Sequence, residues 1–202
     1  IIWGYNTVMH RVQISGTGLF TPAESISNSE LVDSYNKFVD EHNADHQKEI
    51  ENGSIQPLEK SSVEFIEKAS GVKSRFVQNK SGILDTSFMR PKLRERNEEE
   101  LSNLAEMGVA AAKEAIENSG ISLADLGAVI VACSNLERPY PAIAIEIQNA
   151  LGIKGFAFDM NVACSSATFG IQTIYDMIKS GSIKSALMIN PEIRSGHLNF
   201  RD

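Results

Sequence analysis

The amino-acid sequence predicts an α/β fold, a parallel sheet covered by helices, on two observations. The run Ala128-Val129-Ile130-Val131-Ala132-Cys133 is continuously apolar and rich in β-branched residues, the pattern of a strand buried on both faces. After it, strand-like and helix-like segments alternate as far as Asn190, the order that builds a parallel sheet. The 202 residues are 42% apolar and 22% charged, the balance of a globular chain with enough apolar surface for a core. That length fits one domain or one large half of a bigger fold.

The elements follow in chain order. Residues 1–8 carry neither the basic nor the extended apolar region of a secretory signal; they read as upstream or added residues, with Met9 as the natural initiator. Arg11 to Gly18 alternates polar and apolar residues and breaks at glycines, which predicts a strand entering a turn. Gly16-Thr17-Gly18 lacks the third glycine of a dinucleotide fingerprint, and Pro22 interrupts the helix that such a site needs. Capping-box spacing at Ser27-Asn28-Ser29-Glu30 predicts a helix with Leu31, Tyr35, Phe38, Val39 and His42 on one face. A second box at Ser61-Ser62-Val63-Glu64 predicts a short helix that carries Phe65, Ile66 and Ala69 and stops at Gly71. Lys73 to Glu100 is polar, interrupted by Gly82 and Pro91, and reads as loop with room for one short hairpin. Glu98 to Asn118 is predicted as a long helix ended by Gly120, and Pro141 to Leu151 as a helix burying Ile143, Ile145, Ile147 and Leu151. Phe156 to Met160 reads as a strand and Ser165 to Ser180 as a helix with Ala167, Ile171, Ile174 and Ile178 inside. Ser185 to Asn190 reads as another buried strand.

Charge and cysteine content exclude several function classes. Lys and Arg number 19 against 26 Asp and Glu, a net charge of -7, and no basic run is interleaved with aromatics, so no nucleic-acid partner is expected. No apolar stretch reaches the length of a membrane span, and no membrane partner is expected. Two cysteines are too few for a disulfide framework, which suits a cytoplasmic protein. His42 and His46 stand at i and i+4, but no glutamate completes the intervening motif and no third ligand is evident; they read as a solvated helix face, and no metal is expected.

The chemistry-bearing stretch is Asp159-Met160-Asn161-Val162-Ala163-Cys164-Ser165-Ser166-Ala167-Thr168-Phe169-Gly170. A strand ends, a turn of small residues follows, and Cys164 stands where a helix begins. Unpaired N–H groups and the positive end of the helix dipole favour a thiolate there, and the same N–H groups suit an oxyanion on a thioester carbonyl. The competing reading makes Cys164 a small buried residue in a crowded turn. Cys133, inside its apolar run, reads as core.

Cys164 with its flanks, Leu151-Gly152-Ile153-Lys154-Gly155 before it, and Lys179-Ser180-Gly181 and Ala186-Leu187-Met188 after it resemble the β-ketoacyl-acyl-carrier-protein synthase III family of the thiolase-like superfamily. Ile14-Ser15-Gly16-Thr17-Gly18 and the segment Phe65 to Arg75 match that family's N-terminal region, so the likeness runs from about Met9 to the end. It implies thiolase-like αβαβα layers, the N-terminal half of a duplicated fold with a mixed, mostly parallel sheet. Residues 9–202 are then one condensing-enzyme domain with a helical insertion around 32–63.

The resemblance also implies a homodimer and a chemistry. Cys164 is acylated from an acyl thioester, malonyl-acyl carrier protein is decarboxylated, and its carbanion attacks the acyl-enzyme to give a 3-oxoacyl product. No cofactor is expected beyond those substrates, and the family's histidine and asparagine for the second step are expected beyond residue 202. Phe65 takes the place of the family's adenine-stacking aromatic, with the alternative that it packs inside. Ala69 stands where the family has a phosphate-contacting arginine, which leaves coenzyme A or carrier protein open as the donor. Tyr140 matches an aromatic that reaches toward the partner's acyl pocket, or else it is a buried loop anchor. The insertion, with Tyr35, Phe38 and Val39, favours a medium-chain primer if it shapes the entrance or acyl tunnel; otherwise it covers a sheet edge or thickens the dimer contact. Lys73, Arg75, Arg90, Lys92, Arg94 and Arg96 concentrate positive charge that suits an acidic carrier protein, or they are solvated loop residues.

Overall fold

The computed structural model describes residues 11–97, 99–197 and 199–201, so the reading of residues 1–8 and Met9 lies outside the described residues. The chain divides into two units. The first holds Arg96–Glu192 with the segment ending at Phe20; the second holds Thr21–Glu95 with the segment from Ile193.

The first unit is built on strand β3 (Ala128–Ala132), every residue of which is buried. It pairs in parallel with β4 (Phe156–Met160) on one side and β5 (Ala186–Ile189) on the other, in the order β4-β3-β5. Helices α5 (Asn103–Ser119), α6 (Ile143–Leu151) and α7 (Ser166–Lys179) cover the sheet. Successive strand residues point to opposite faces, and β5 shows it. A Cβ added to Gly170 of α7 would meet Met188 Sδ, whereas one added to Gly108 of α5 would meet Ile189. α7 therefore lies on one face of the sheet and α5 on the other. The α/β expectation holds, and this sheet is wholly parallel.

Several helix ends follow the capping signals in the sequence. The side chain of Ser102 caps α5, and Gly120 and Gly152 end α5 and α6 with left-handed backbone. α6 has no cap in its own chain segment; the Asp159 carboxylate of β4 accepts from the N–H groups of Ile143 and Ala144, both at 2.8 Å. A strand residue thus fixes the start of the preceding helix. α5 begins at Asn103, five residues later than the pattern from Glu98 suggests, and Glu98 itself lies outside the described residues.

The predicted strand at Arg11 to Gly18 is not one: these residues form no ladder, and Ile14 is exposed. The segment lies against α5. A Cβ on Gly18 would collide with Ala111 O, Leu19 donates from its N–H to Glu114, and Asn118 Nδ2 donates to Thr17 O. The glycines permit backbone to approach a helix, a contact that period-two alternation cannot distinguish from a sheet edge. α6 departs as well, leaving Ile145 exposed. α7 departs most: Ile171 and Ala167 are exposed, and the buried positions are Ser166 and Gly170. Its contact with the sheet is made by small residues because Met188 Sδ and Ala132 Cβ already fill the space above Gly170.

The second unit pairs β1 (Glu24–Ser27) with β2 (Ser74–Val77) in antiparallel register, Glu24 opposite Val77 and Ser27 opposite Ser74. Four-residue strands are too short to signal themselves, and β2 falls where loop is expected, as does α4 (Lys80–Leu84). Ile26, Val77 and Ile83 form the buried cluster, with Leu31, Leu84 and Phe200 against it. The capping box at Ser27 is complete: Ser27 Oγ accepts from Glu30 N, and the Glu30 carboxylate accepts from Ser27 N. Lys80, followed by those Ser27 bonds, holds the Glu30 carboxyl down at about 2. The helix it opens, α1 (Asn28–Asp45), leads to α2 (Gln47–Glu51) and α3 (Val63–Ser70). The N-cap of α3 is Ser62 rather than Ser61.

Cys133 is fully buried at the end of β3, where its Sγ donates to Pro191 O at 2.9 Å. Burial pushes this thiol up to about 11. The folded state therefore keeps a proton that the unfolded chain releases near pH 9, so the contribution is intact below pH 9 and is lost between pH 9 and about 11. The expected slope is at most about 1.4 kcal/mol per pH unit. Denaturant titrations at several pH values should show that loss for the native chain and a shallower slope for Cys133→Ala; equal slopes would refute the assignment.

Candidate functional site

The carboxyl ends of the three parallel strands are tied together by side chains. Asn190 Nδ2 donates to Ala132 O at 2.6 Å, Ser134 N donates to Glu192 Oε1 at 2.6 Å, and Asn161 Nδ2 donates to Ser134 O at 3.0 Å. In open parallel sheets this is the end at which ligands collect. The turn from β4 into α7 leaves from it.

That turn is closed by one buried hydroxyl. Ser166 Oγ accepts from Val162 N at 2.9 Å and donates to Ala163 O at 2.7 Å, and Asn161 Oδ1 accepts from Ala163 N at 2.9 Å. The closure drives Ala163 into left-handed backbone at φ 48, a conformation that costs a residue bearing Cβ about 1–3 kcal/mol. Cys164 follows and is exposed, with no disulfide partner. Ser165 is the N-cap of α7, and among the described residues no side chain caps the helix there. The first N–H groups of any helix lack partners within it. Ser165 N and Ser166 N already donate to Val162 O and Ala163 O, both at 3.1 Å, so the exposed thiol stands at the positive dipole end with the first-turn donors outside those two bonds belonging to Ala167 and Thr168.

The crowded-core reading of Cys164 fails on that exposure. Tyr140 is 86% exposed in the segment between β3 and α6, which overturns the buried-anchor alternative. It belongs to the same unit as Cys164. Phe65 is 67% exposed on α3 of the second unit, which overturns its packing alternative. His42 and His46 stack at 4.3 Å, with His46 Nδ1 2.9 Å from His42 O, and no cluster of three or more metal-ligating groups exists among the described residues. Among those residues, too, no helix is long and apolar enough to cross a membrane. The basic stretch is largely paired: Arg75 donates to Asn28 Oδ1, Lys92 meets Asp85 at 2.9 Å, and Arg96, in the first unit, meets Glu106. Sequence reasoning missed Ser166 and Asp159, because a hydroxyl or carboxylate that serves backbone outside its own element leaves no periodic mark.

The comparisons decide the family. The profile of 3-oxoacyl-(acyl-carrier-protein) synthase III matches residues 158–202, a span that includes the turn and all of α7. The β-ketodecanoyl-(acyl-carrier-protein) synthase of Pseudomonas aeruginosa is 58% identical over 171 residues, covering 85% of this chain and 49% of that protein. The chain belongs to the β-ketoacyl-acyl-carrier-protein synthase III family. The β-ketoacyl-(acyl-carrier-protein) synthase III of Bartonella tribocorum is 30% identical over 195 residues, covering 96% of this chain and 47% of that one. The crystal structure of 3-oxoacyl-(acyl-carrier-protein) synthase III from Aquifex aeolicus matches with a TM-score of 0.66 and 25% identity over 94% of this chain and 47% of that one. The fold is accordingly thiolase-like, and the chain spans about half the length of the curated relatives it matches.

Loss of the Ser166 hydroxyl leaves Val162 N–H and Ala163 C=O without their partner. Ser166→Ala is expected to cost about 1–3 kcal/mol in chemical denaturation. Ala163→Gly, which relieves the backbone strain, should cost nothing or stabilise slightly. The reverse ranking would contradict this account of the turn.

Proposed function

We propose that the complete protein is a 3-oxoacyl-acyl-carrier-protein synthase of fatty acid biosynthesis and that Cys164 is its acyl-accepting nucleophile. The carrying observation is the exposed sulfur at the uncapped start of α7, inside the segment that the family profile matches. The Cys164 thiolate attacks the thioester carbonyl, the oxyanion draws on the positive end of α7, and the donor's C–S bond breaks to expel a thiolate that takes a proton from solvent. Malonyl-acyl carrier protein then loses carbon dioxide, and the resulting carbanion attacks the acyl-cysteine to release the 3-oxoacyl product and regenerate the Cys164 thiolate.

The primer is a medium-chain acyl group. The 58%-identical relative is named for a β-ketodecanoyl product, and ten carbons built by adding two require an eight-carbon primer. Within the insertion, Val39 is buried while Tyr35 and Phe38 are half-buried. Phe65, exposed and aromatic, is assigned to recognition of the thioester donor, and Tyr140 to the acyl pocket. An acyl carrier protein is the partner in condensation. A homodimer is supported by the exposed apolar side chains of edge strand β4, Phe156 and Phe158, and of α7, Phe169, Ile171 and Tyr175. The protein is assigned to the cytoplasm.

Condensation assays on the complete protein test this reading. With malonyl-acyl carrier protein, octanoyl thioester should give 3-oxodecanoyl product and labelled carbon dioxide at a rate at least about tenfold above acetyl thioester, the discrimination that burial of several extra methylenes supplies. Acetyl preference would overturn the chain-length assignment. Acyl exchange without carbon dioxide release would overturn the condensing one.

A further inference from the structure

Helix α3 is amphipathic yet has no fully buried residue, only Val63 and Ile66 being half-buried, so side-chain packing alone holds it weakly. Its flanks are instead held by asparagines of α1. Asn36 grips Ser61 twice, its Oδ1 accepting from Ser61 N at 2.9 Å and its Nδ2 donating to Ser61 O at 3.0 Å. Asn43 grips Leu58 the same way, at 2.9 and 3.0 Å. Beyond the other end of α3, Asn28 Nδ2 donates to Val72 O at 2.6 Å, and Arg75 Nη2 in turn donates to Asn28 Oδ1 at 2.6 Å.

The spacing explains why the grip works. Asn36 and Asn43 are seven residues apart, which on a helix is a rise of about 10.5 Å with nearly the same facing. Leu58 and Ser61 are three residues apart, which in extended backbone is about 10 Å. Two turns of helix thus match three residues of strap, and each asparagine satisfies both polar groups of one residue. Ser61 immediately precedes Ser62, whose side chain accepts from Phe65 N at 3.1 Å. The chain of bonds runs from Asn36 through Ser61 and Ser62 to the backbone of Phe65.

We propose that Asn36 and Asn43 are positioning residues: by holding the backbone of Ser61 and Leu58 they set the frame of α3, and thereby present Phe65 to the thioester donor. The inference rests on the assignment of Phe65 to donor recognition. It gives a function to the extra helix of the insertion: α1 acts as a rail that reads backbone, so the residues at positions 58 and 61 are free to vary while the rail is not.

The test is the rate of Cys164 acylation against octanoyl-coenzyme A concentration in the complete protein, read by intact mass, together with amide hydrogen exchange. Asn36→Ala and Asn43→Ala should each raise the half-saturating concentration roughly fivefold, the equivalent of about one net hydrogen bond, and leave the maximal rate unchanged. Exchange protection at the Leu58 and Ser61 amides should fall while that of β3 stays. Asn36→Asp, which keeps the acceptor and loses the donor, should fall between. In a double-mutant cycle, Asn36→Ala should add nothing in a Phe65→Ala background. An unchanged half-saturating concentration in both asparagine variants, with a raised one in Phe65→Ala, overturns the positioning role alone; so does full additivity. An unchanged value in Phe65→Ala overturns the donor reading, and this inference with it. If Asn36→Ala does not fold, Asn36→Asp and Asn43→Ala carry the same comparison.

Discussion

The buried hydroxyl of Ser166 holds two backbone groups of the turn that precedes it, and the presentation of Cys164 depends on that closure. A turn this tight between a strand and a helix has few solutions. α7 must lie close to the sheet, which Gly170 permits because there is no room above Met188 and Ala132 for a side chain. Ser166 then faces inward, Ala163 takes up the strain, and Cys164 and Ser165 between them are turned out. Phe169 and Ile171 of α7 lie on the surface of this chain, which spans about half the length of the relatives it matches.

The sheet supplies rigidity where the turn needs it. β3 is buried along its whole length, so its position is set by packing on every side. From its carboxyl end, Cys133, Ser134 and their partners on the β4 and β5 sides form a set of short hydrogen bonds that leaves the strand ends little freedom. Asp159 ties β4 to the start of α6 as well. A reactive group on a turn gains from being anchored to elements that do not move, since misplacement by even an ångström is costly in catalysis. The second unit follows another rule: α3, which has no fully buried residue, is flanked by backbone that asparagines of α1 hold.

What could be read in the sequence divides along the same line. The buried run at Ala128, the strand at Phe156, the capping box at Ser27 and the glycine stops at Gly71 and Gly120 are local signals, and the structure carries each of them. The place of Cys164 at a helix start is likewise legible, because strand, small turn and helix follow one another without a gap. Arg11 to Gly18 misleads because alternation reports an environment, and a segment lying along α5 meets an environment similar to that of a sheet edge. Ile171 misleads because α7 touches the sheet through its smallest residues. Ser166, Asp159, Asn36 and Asn43 are silent, since each acts on backbone that the sequence pattern does not identify.

In the proposed chemistry Cys164, and not the other thiol, accepts the acyl group. Incubation of the complete protein with octanoyl-coenzyme A, followed by intact-mass measurement and peptide mapping, distinguishes the two thiols. One octanoyl group, found on the peptide bearing Cys164 and absent from Cys164→Ala, is the expected result. A protein that stays unmodified, or that carries the thioester on Cys133, would contradict the account.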